Sequence, residues 1–401
     1  MSLSGSIDIG MTGLLGFSQE LQTISNNVAN LNTPGFKGSN SQFSDMFEQD
    51  NSVAGGTGNA SGRGLQVLPS VVNFSAGATT QTGIATNLVD SGNSFFVLKD
   101  PKTGQMYYTQ DGQFSFDAKG FLVDSTGNYR VQALTSSGTL QDLSQATYQN
   151  SAPKASSTIT LQGNLNSAVA TPQVVSGINV IDAAGGTHTL TATFTPGAQA
   201  GSYTVTVADG STTVGTGTVV FTSGALTKGS FTFTYSPSGV PAIPLTLTLD
   251  PNNATNNAVT SGQPSTLSPL AVETVDGYAA GTISNTSFNA SGVLQLTYTN
   301  GQTVSGPTVA LANFSSPNEL KQAGSNTFVT ANSSNAQLGT AGASSAWGQL
   351  TPGAIEASNV DLATEFSAII TTQRGYQAAS ELESTANQMM QNALEMKGQG
   401  A

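Results

Sequence analysis

His188 is the only imidazole in the chain, and no cysteine accompanies it. An imidazole can serve as a general base, a proton shuttle or a metal ligand, but each role needs a second group beside it. His188 lies in a Thr-rich stretch with no carboxylate or thiol close to it in sequence, and no G-x-S-x-G elbow is present, so Ser-His-Asp hydrolysis is not expected. Without cysteine, disulfides and thiolate metal sites are excluded. Asp111, Asp117 and Asp124 recur at near-regular spacing and could suggest paired acids or a calcium loop. Each stands close to a glycine (Gly112, Gly120, Gly127), and the EF-hand spacing is not met, so turn formation is their expected role. The glycines at 55, 56, 58, 62 and 64 fit neither a dinucleotide fingerprint nor a phosphate loop, and read as a linker. The expectation is a protein without catalytic residues, cofactor or metal.

Composition points the same way. Only 8 % of the 401 residues are charged, against ~25 % in ordinary soluble proteins, so the surface must be built from Ser, Thr, Asn, Gln and Gly. The net charge of -12 argues against nucleic acid and anionic membranes, which demand basic patches. The start, MSLSGSIDIGMTG, has neither a basic region nor a continuous apolar core, so no cleaved signal peptide is expected. No run approaches the ~18 apolar residues of a membrane span. Low charge of this kind is commoner outside the cell, which would call for a dedicated export route.

The elements that organise the chain lie at its two ends. Leu3, Ile7, Leu14, Phe17, Leu21, Ile24, Val28 and Leu31 follow a four-then-three spacing, and Leu362, Phe366, Ile369, Tyr376, Leu382, Ala386, Met389, Ala393 and Met396 follow a looser version of it. Both patterns predict amphipathic helices with coiled-coil periodicity. Glycines at 5, 10, 13 and 16 weaken the first helix, each by roughly 1 kcal/mol relative to alanine, so these helices are expected to need burial against other copies. The fold class is α+β, mainly β. Residues 1–36 and 355–401 form the terminal coiled-coil domain, and 37–70 a loop-rich connector. Residues 71–154 and 275–354 form an inner β domain, and 155–274 an outer β sandwich or barrel with strands near 187–195, 202–208, 214–222, 230–235 and 243–249. Each inner layer is thus built from two separated segments.

Three stretches carry a resemblance. The run NNVANLNTPGFK at residues 26–37, with Asn30, Thr33, Pro34, Gly35, Phe36 and Lys37 in its turn, resembles the N-terminal signature of the flagellar rod and hook axial proteins. Residues 95–97 and 108–122 look like the β domain of that family, and residues 353–396 resemble its C-terminal helix. The length and the large insert are similar to the hook members rather than to the shorter rod members. The resemblance implies a structural subunit polymerising into a curved hollow tube, a flexible universal joint between rod and filament. It also implies as partners the chain itself, rod proteins, a hook cap, hook–filament junction proteins and the flagellar export apparatus. The alternatives are a distal rod or junction protein, or a secreted β-rich adhesin.

Overall fold

The computed structural model describes residues 3–49, 60–166, 169–250, 260–262, 269–330, 336–343 and 347–398. The chain divides into a terminal unit, Met1–Ala146 with Thr286–Gln295 and Ser305–Ala401, and an inserted unit, Thr147–Asn285 with Leu296–Val304.

The terminal unit begins and ends in long helices, α1 (Leu3–Ala29) and α2 (Leu362–Gly398). At the start of α2 the Asp361 carboxylate accepts the Thr364 N–H at 2.7 Å, capping the helix. That backbone contact holds the Asp361 carboxyl below its ordinary range. The connector expected at residues 37–70 is instead a two-stranded ladder, β1 (Ser39–Gln49) paired antiparallel with β2 (Ala60–Val72). Its cause is tertiary, since β1 is mostly polar and shows no clean apolar alternation. Leu65 and Phe43 reach into the space left by Gly16 of α1, and Ser41 Oγ donates to Thr23 Oγ1 at 3.0 Å. Glycines 55, 56 and 58 lie outside the described residues, whereas Gly62 and Gly64 belong to β2 rather than to a linker.

Beyond this ladder, Phe95–Lys99 is a central strand pairing antiparallel with Met106–Thr109, Arg130–Leu134 and Leu311–Phe314. Covered on both faces, it reads as a continuous apolar run. Phe95, Tyr108, Phe314 and Phe328 form its core, with the ring of Phe314 edge-on to Phe95 at 5.5 Å and to Tyr108 at 4.9 Å. The three regularly spaced acids close turns. Asp111, Asp117 and Asp124 accept the N–H groups of Gln113, Lys119 and Tyr129 at 3.0, 2.9 and 2.8 Å. The outgoing and returning chains are stitched where Thr79–Gln81 pairs with Ala354–Glu356 and Leu88–Asp90 with Leu350–Pro352.

In the inserted unit two sheets share one core. Gln173–Ile181, Thr187–Pro196, Ser202–Asp209 and Thr212–Thr222 run as an antiparallel meander within a seven-stranded sheet. Thr158–Gln162, Ser230–Tyr235, Ile243–Leu249 and Ala271–Val275 make a four-stranded sheet. Leu190, Phe194 and Val205 of the first meet Ile159, Leu245 and Leu247 of the second, which makes the unit a sandwich. Period-two alternation builds it: Ile243, Leu245, Leu247 and Leu249 are buried while Pro244 is exposed. This unit is wider than residues 155–274, because Lys154 and Tyr278 exchange backbone hydrogen bonds at 2.9 and 3.0 Å and draw the flanking residues into it. The terminal helices, expected as a separate domain, cluster with the aromatic β core instead.

His188 also differs from expectation. Its Nε2 lies 2.9 Å from Asp182 Oδ2, and its Nδ1 lies 4.0 Å from Asp209 Oδ2. Asp182 opens the turn between two strands, its Oδ1 accepting the N–H groups of Ala184 and Gly186 at 2.8 Å each, so the chain folds back onto the carboxylate. The hydrogen bond with His188 holds the Asp182 carboxyl below its ordinary range. Tyr235 donates its hydroxyl to Asp209 at 2.6 Å, and the network ties three strands together.

Candidate assembly site

α1 and α2 lie antiparallel against one another. Asn27 Nδ2 donates to Glu365 Oε1 at 3.0 Å, Phe17 covers Gly375, Gly13 faces Ala379 and Gly10 faces Glu383, so contacts step down one helix as they climb the other. Small residues let the backbones approach closely, and the glycines that weaken α1 locally are what the pairing uses.

The helix contact departs from the apolar seams expected from spacing. On α1, Ile24 is buried and Ile7, Leu14, Phe17, Leu21 and Val28 are half-buried, while the Leu3 side chain lies outside the described residues; Leu31, expected in the helix, is half-buried in the turn beyond its end. On α2, Ile369 is half-buried, but Leu362, Phe366, Tyr376, Leu382, Met389 and Met396 are exposed, Met396 to 73 %. The two seams therefore do not zip together within one chain. Helices that meet over glycine and alanine turn their bulkier residues to the flanks. Of the buried α2 residues, Ala386 belongs to the apolar pattern and Thr372 lies outside it.

The junction between α1 and the β core is dense with polar contacts. Lys37 Nζ, with its side chain 1 % exposed, lies 2.7 Å from Glu356 Oε1 and donates to the Ser75 carbonyl at 2.9 Å. Glu356 also accepts the Gly77 N–H at 2.5 Å, and its carbonyl accepts Gly35 N–H at 2.8 Å. Asn27 grips both backbone groups of Ser39 at 2.9 and 3.0 Å, Asn359 accepts Gly38 N–H at 2.8 Å, and Asn326 Nδ2 donates to the Pro34 carbonyl at 2.9 Å. Gly35 has φ +67, and a Cβ there would stand 2.6 Å from the Asp111 Cα, so the position requires glycine on two counts.

Asn30, Thr33, Pro34, Phe36 and Lys37 line a cleft of about 430 Å³ together with Asp111. Burial pushes the Asp111 carboxyl up to about 6, against hydrogen bonds from Gln113 and Ser125. Family resemblance marked the turn and took in Asn359, but the contacts of Glu356, Asn359 and Asn326 went unread. Each is a lone polar residue whose partner lies hundreds of positions away, with no spacing signal to reveal it. What this arrangement does chemically is hold a helix pair rigidly to a β domain.

Comparisons with known proteins follow the same map. Residues 7–37 match the family model described as flagella basal body rod protein, residues 91–180 the flagellar hook protein FlgE/F/G D1 domain, and residues 351–396 the flagellar basal body rod FlgEFG protein C-terminal. The flagellar hook protein FlgE of Treponema pallidum is 30 % identical over 98 % of this chain and 99 % of its own length. That of Escherichia coli is 28 % identical over 96 % and 98 %. A crystal structure of Helicobacter pylori flagellar hook protein FlgE2 aligns with 68 % of this chain and 98 % of its own, at 12 % identity and a TM-score of 0.42. Similar from end to end to the Treponema pallidum protein, the chain belongs to the flagellar hook protein family.

Proposed function

We propose that this chain is the structural subunit of the flagellar hook, polymerising through its terminal helices into a curved hollow tube that acts as a flexible joint between rod and filament. Its role is mechanical rather than enzymatic. The observation that carries the reading is the apolar surface of α2 left outside its contact with α1: Phe366 and Tyr376 are exposed, and Leu382, Met389 and Met396, seven residues apart, form an exposed stripe on the flank of that contact. Such a stripe is costly in water and is relieved by burial against further copies. Weakly charged Ser, Thr and Asn surfaces suit the sliding of subunits in a bending tube, because their hydrogen bonds exchange with water. Rod proteins, a cap, junction proteins and the export apparatus are the further partners of this reading, and the hook outside the cell is its location. No described helix is long and apolar enough to cross a membrane.

Electron microscopy of the purified chain at high concentration tests it. The parent should give tubes, and Leu382→Ser combined with Met389→Ser should give none while keeping the parent's thermal unfolding transition. Normal tubes from that double variant would show that the α2 stripe is not the assembly surface.

A further inference from the structure

A groove and a ridge on the helix pair carry matching charges. The groove, about 800 Å³, is lined by small α2 side chains, Ala363, Ser367, Ala368 and Thr371 among them, and on α1 by Phe17 and Glu20. Glu20 has no ion pair or hydrogen bond among the described residues. The ridge borders the groove on α2. Phe366 and Ile370 are 52 % and 55 % exposed, and Arg374 follows at the same spacing of four, so the three stack along one face. Arg374 is exposed and has no ion pair among the described residues, and it is the only cation on either helix whose side chain is described. From Phe366 to Arg374 the ridge measures about 12 Å by helical rise, close to the span of the groove.

Resting on the polymer reading above, we infer that the groove of one copy receives the Phe366, Ile370 and Arg374 ridge of a neighbouring copy, with Arg374 paired to the neighbour's Glu20. Bulky side chains then fill a channel lined by small ones. A carboxylate that the contact would otherwise strand gains a cation. A ridge of one copy entering the groove of the next is a heterologous, head-to-tail contact, the kind that extends a filament. Asp8 is the other acid on α1, but it is exposed and does not line the groove. Charge complementarity of this kind sets register and rejects wrong neighbours.

Charge reversal followed by mixing tests the pair. Glu20→Arg and Arg374→Glu, each alone, should raise the concentration needed for polymerisation at least tenfold without moving the thermal transition of the monomer. An equimolar mixture of the two should assemble at close to the parent's concentration, because each variant supplies the charge that the other lacks. The inference is overturned if either single variant assembles like the parent, or if the mixture remains unassembled. A double variant that assembles while the mixture does not would place the pair within one chain and also overturn it. A parent chain that never polymerises would instead overturn the reading on which the inference rests.

Discussion

Asp111 shows what one residue can report about the junction. Burial raises its carboxyl to about 6 in the folded chain, whereas an unfolded aspartate titrates near ~3.9. Between these values the folded state binds more protons than the unfolded state, so this group makes stability fall as pH rises from about 4 through 6 and adds nothing further above that. A shift of this size corresponds to roughly 2–3 kcal/mol. Asp90 acts in the same direction, because burial raises it too. Asp361 acts oppositely, its lowered carboxyl costing stability only below the ordinary range, which leaves pH 4–6 clear. Asp111→Asn should therefore flatten much of the loss in the denaturant midpoint of the terminal unit between pH 4.5 and 7, and an unchanged slope would refute the assignment. The neighbouring ion pair shows why such chemistry escapes a sequence reader. Lys37 and Glu356 are 319 positions apart, and no local pattern joins them.

Among elements, the helix pair is decided by glycine. Gly13 and Gly375 both lie at the contact, yet they should respond in opposite ways to alanine. A Cβ at Gly13 would sit 3.4 Å from the Ala379 Cβ, an ordinary contact, while one at Gly375 would sit 2.6 Å from the Phe17 ring. Gly13→Ala should raise the stability of the terminal unit by about 1 kcal/mol, the helix-propensity gain. Gly375→Ala should lower it, because overpacking costs about 1–3 kcal/mol and exceeds that gain. Thermal unfolding followed by helical circular dichroism checks both, and equal effects at the two sites would contradict the packing described. Helix existence was legible because period and apolar content agree over many turns. The mode of pairing was not, since glycine registers in a sequence only as a weakness. The ladder of β1 and β2 was lost for a related reason: its stabilising contacts belong to α1 and not to its own alternation.

For the molecule as a whole, the question is whether the insertion folds by itself. Its core residues all fall between Ile159 and Leu249, with Leu270, Val272 and Val275 packed against them, and its two ends are joined by the Lys154–Tyr278 bridge. Such strands were legible in the sequence because they follow one another locally and alternate Thr with apolar residues. Its margins were not, because they depend on single bonds across more than a hundred residues. Asp276 closes that margin. It accepts the N–H groups of Ser157 and Thr158 at 2.7 and 2.9 Å and pairs with Lys154 at 3.3 Å. Although burial opposes its charge, the Ser157 and Thr158 hydrogen bonds hold its carboxyl at about 2. A depressed carboxyl contributes stability that is present above about pH 4 and lost as pH falls through about 2. Residues 150–282 produced alone should therefore unfold in one cooperative transition, and Asp276→Asn should lower its midpoint at pH 6 but leave it nearly unchanged at pH 2. The full chain should show the same transition beside a second one from the terminal unit. A fragment that melts without cooperativity would mean that the sandwich depends on the rest of the chain.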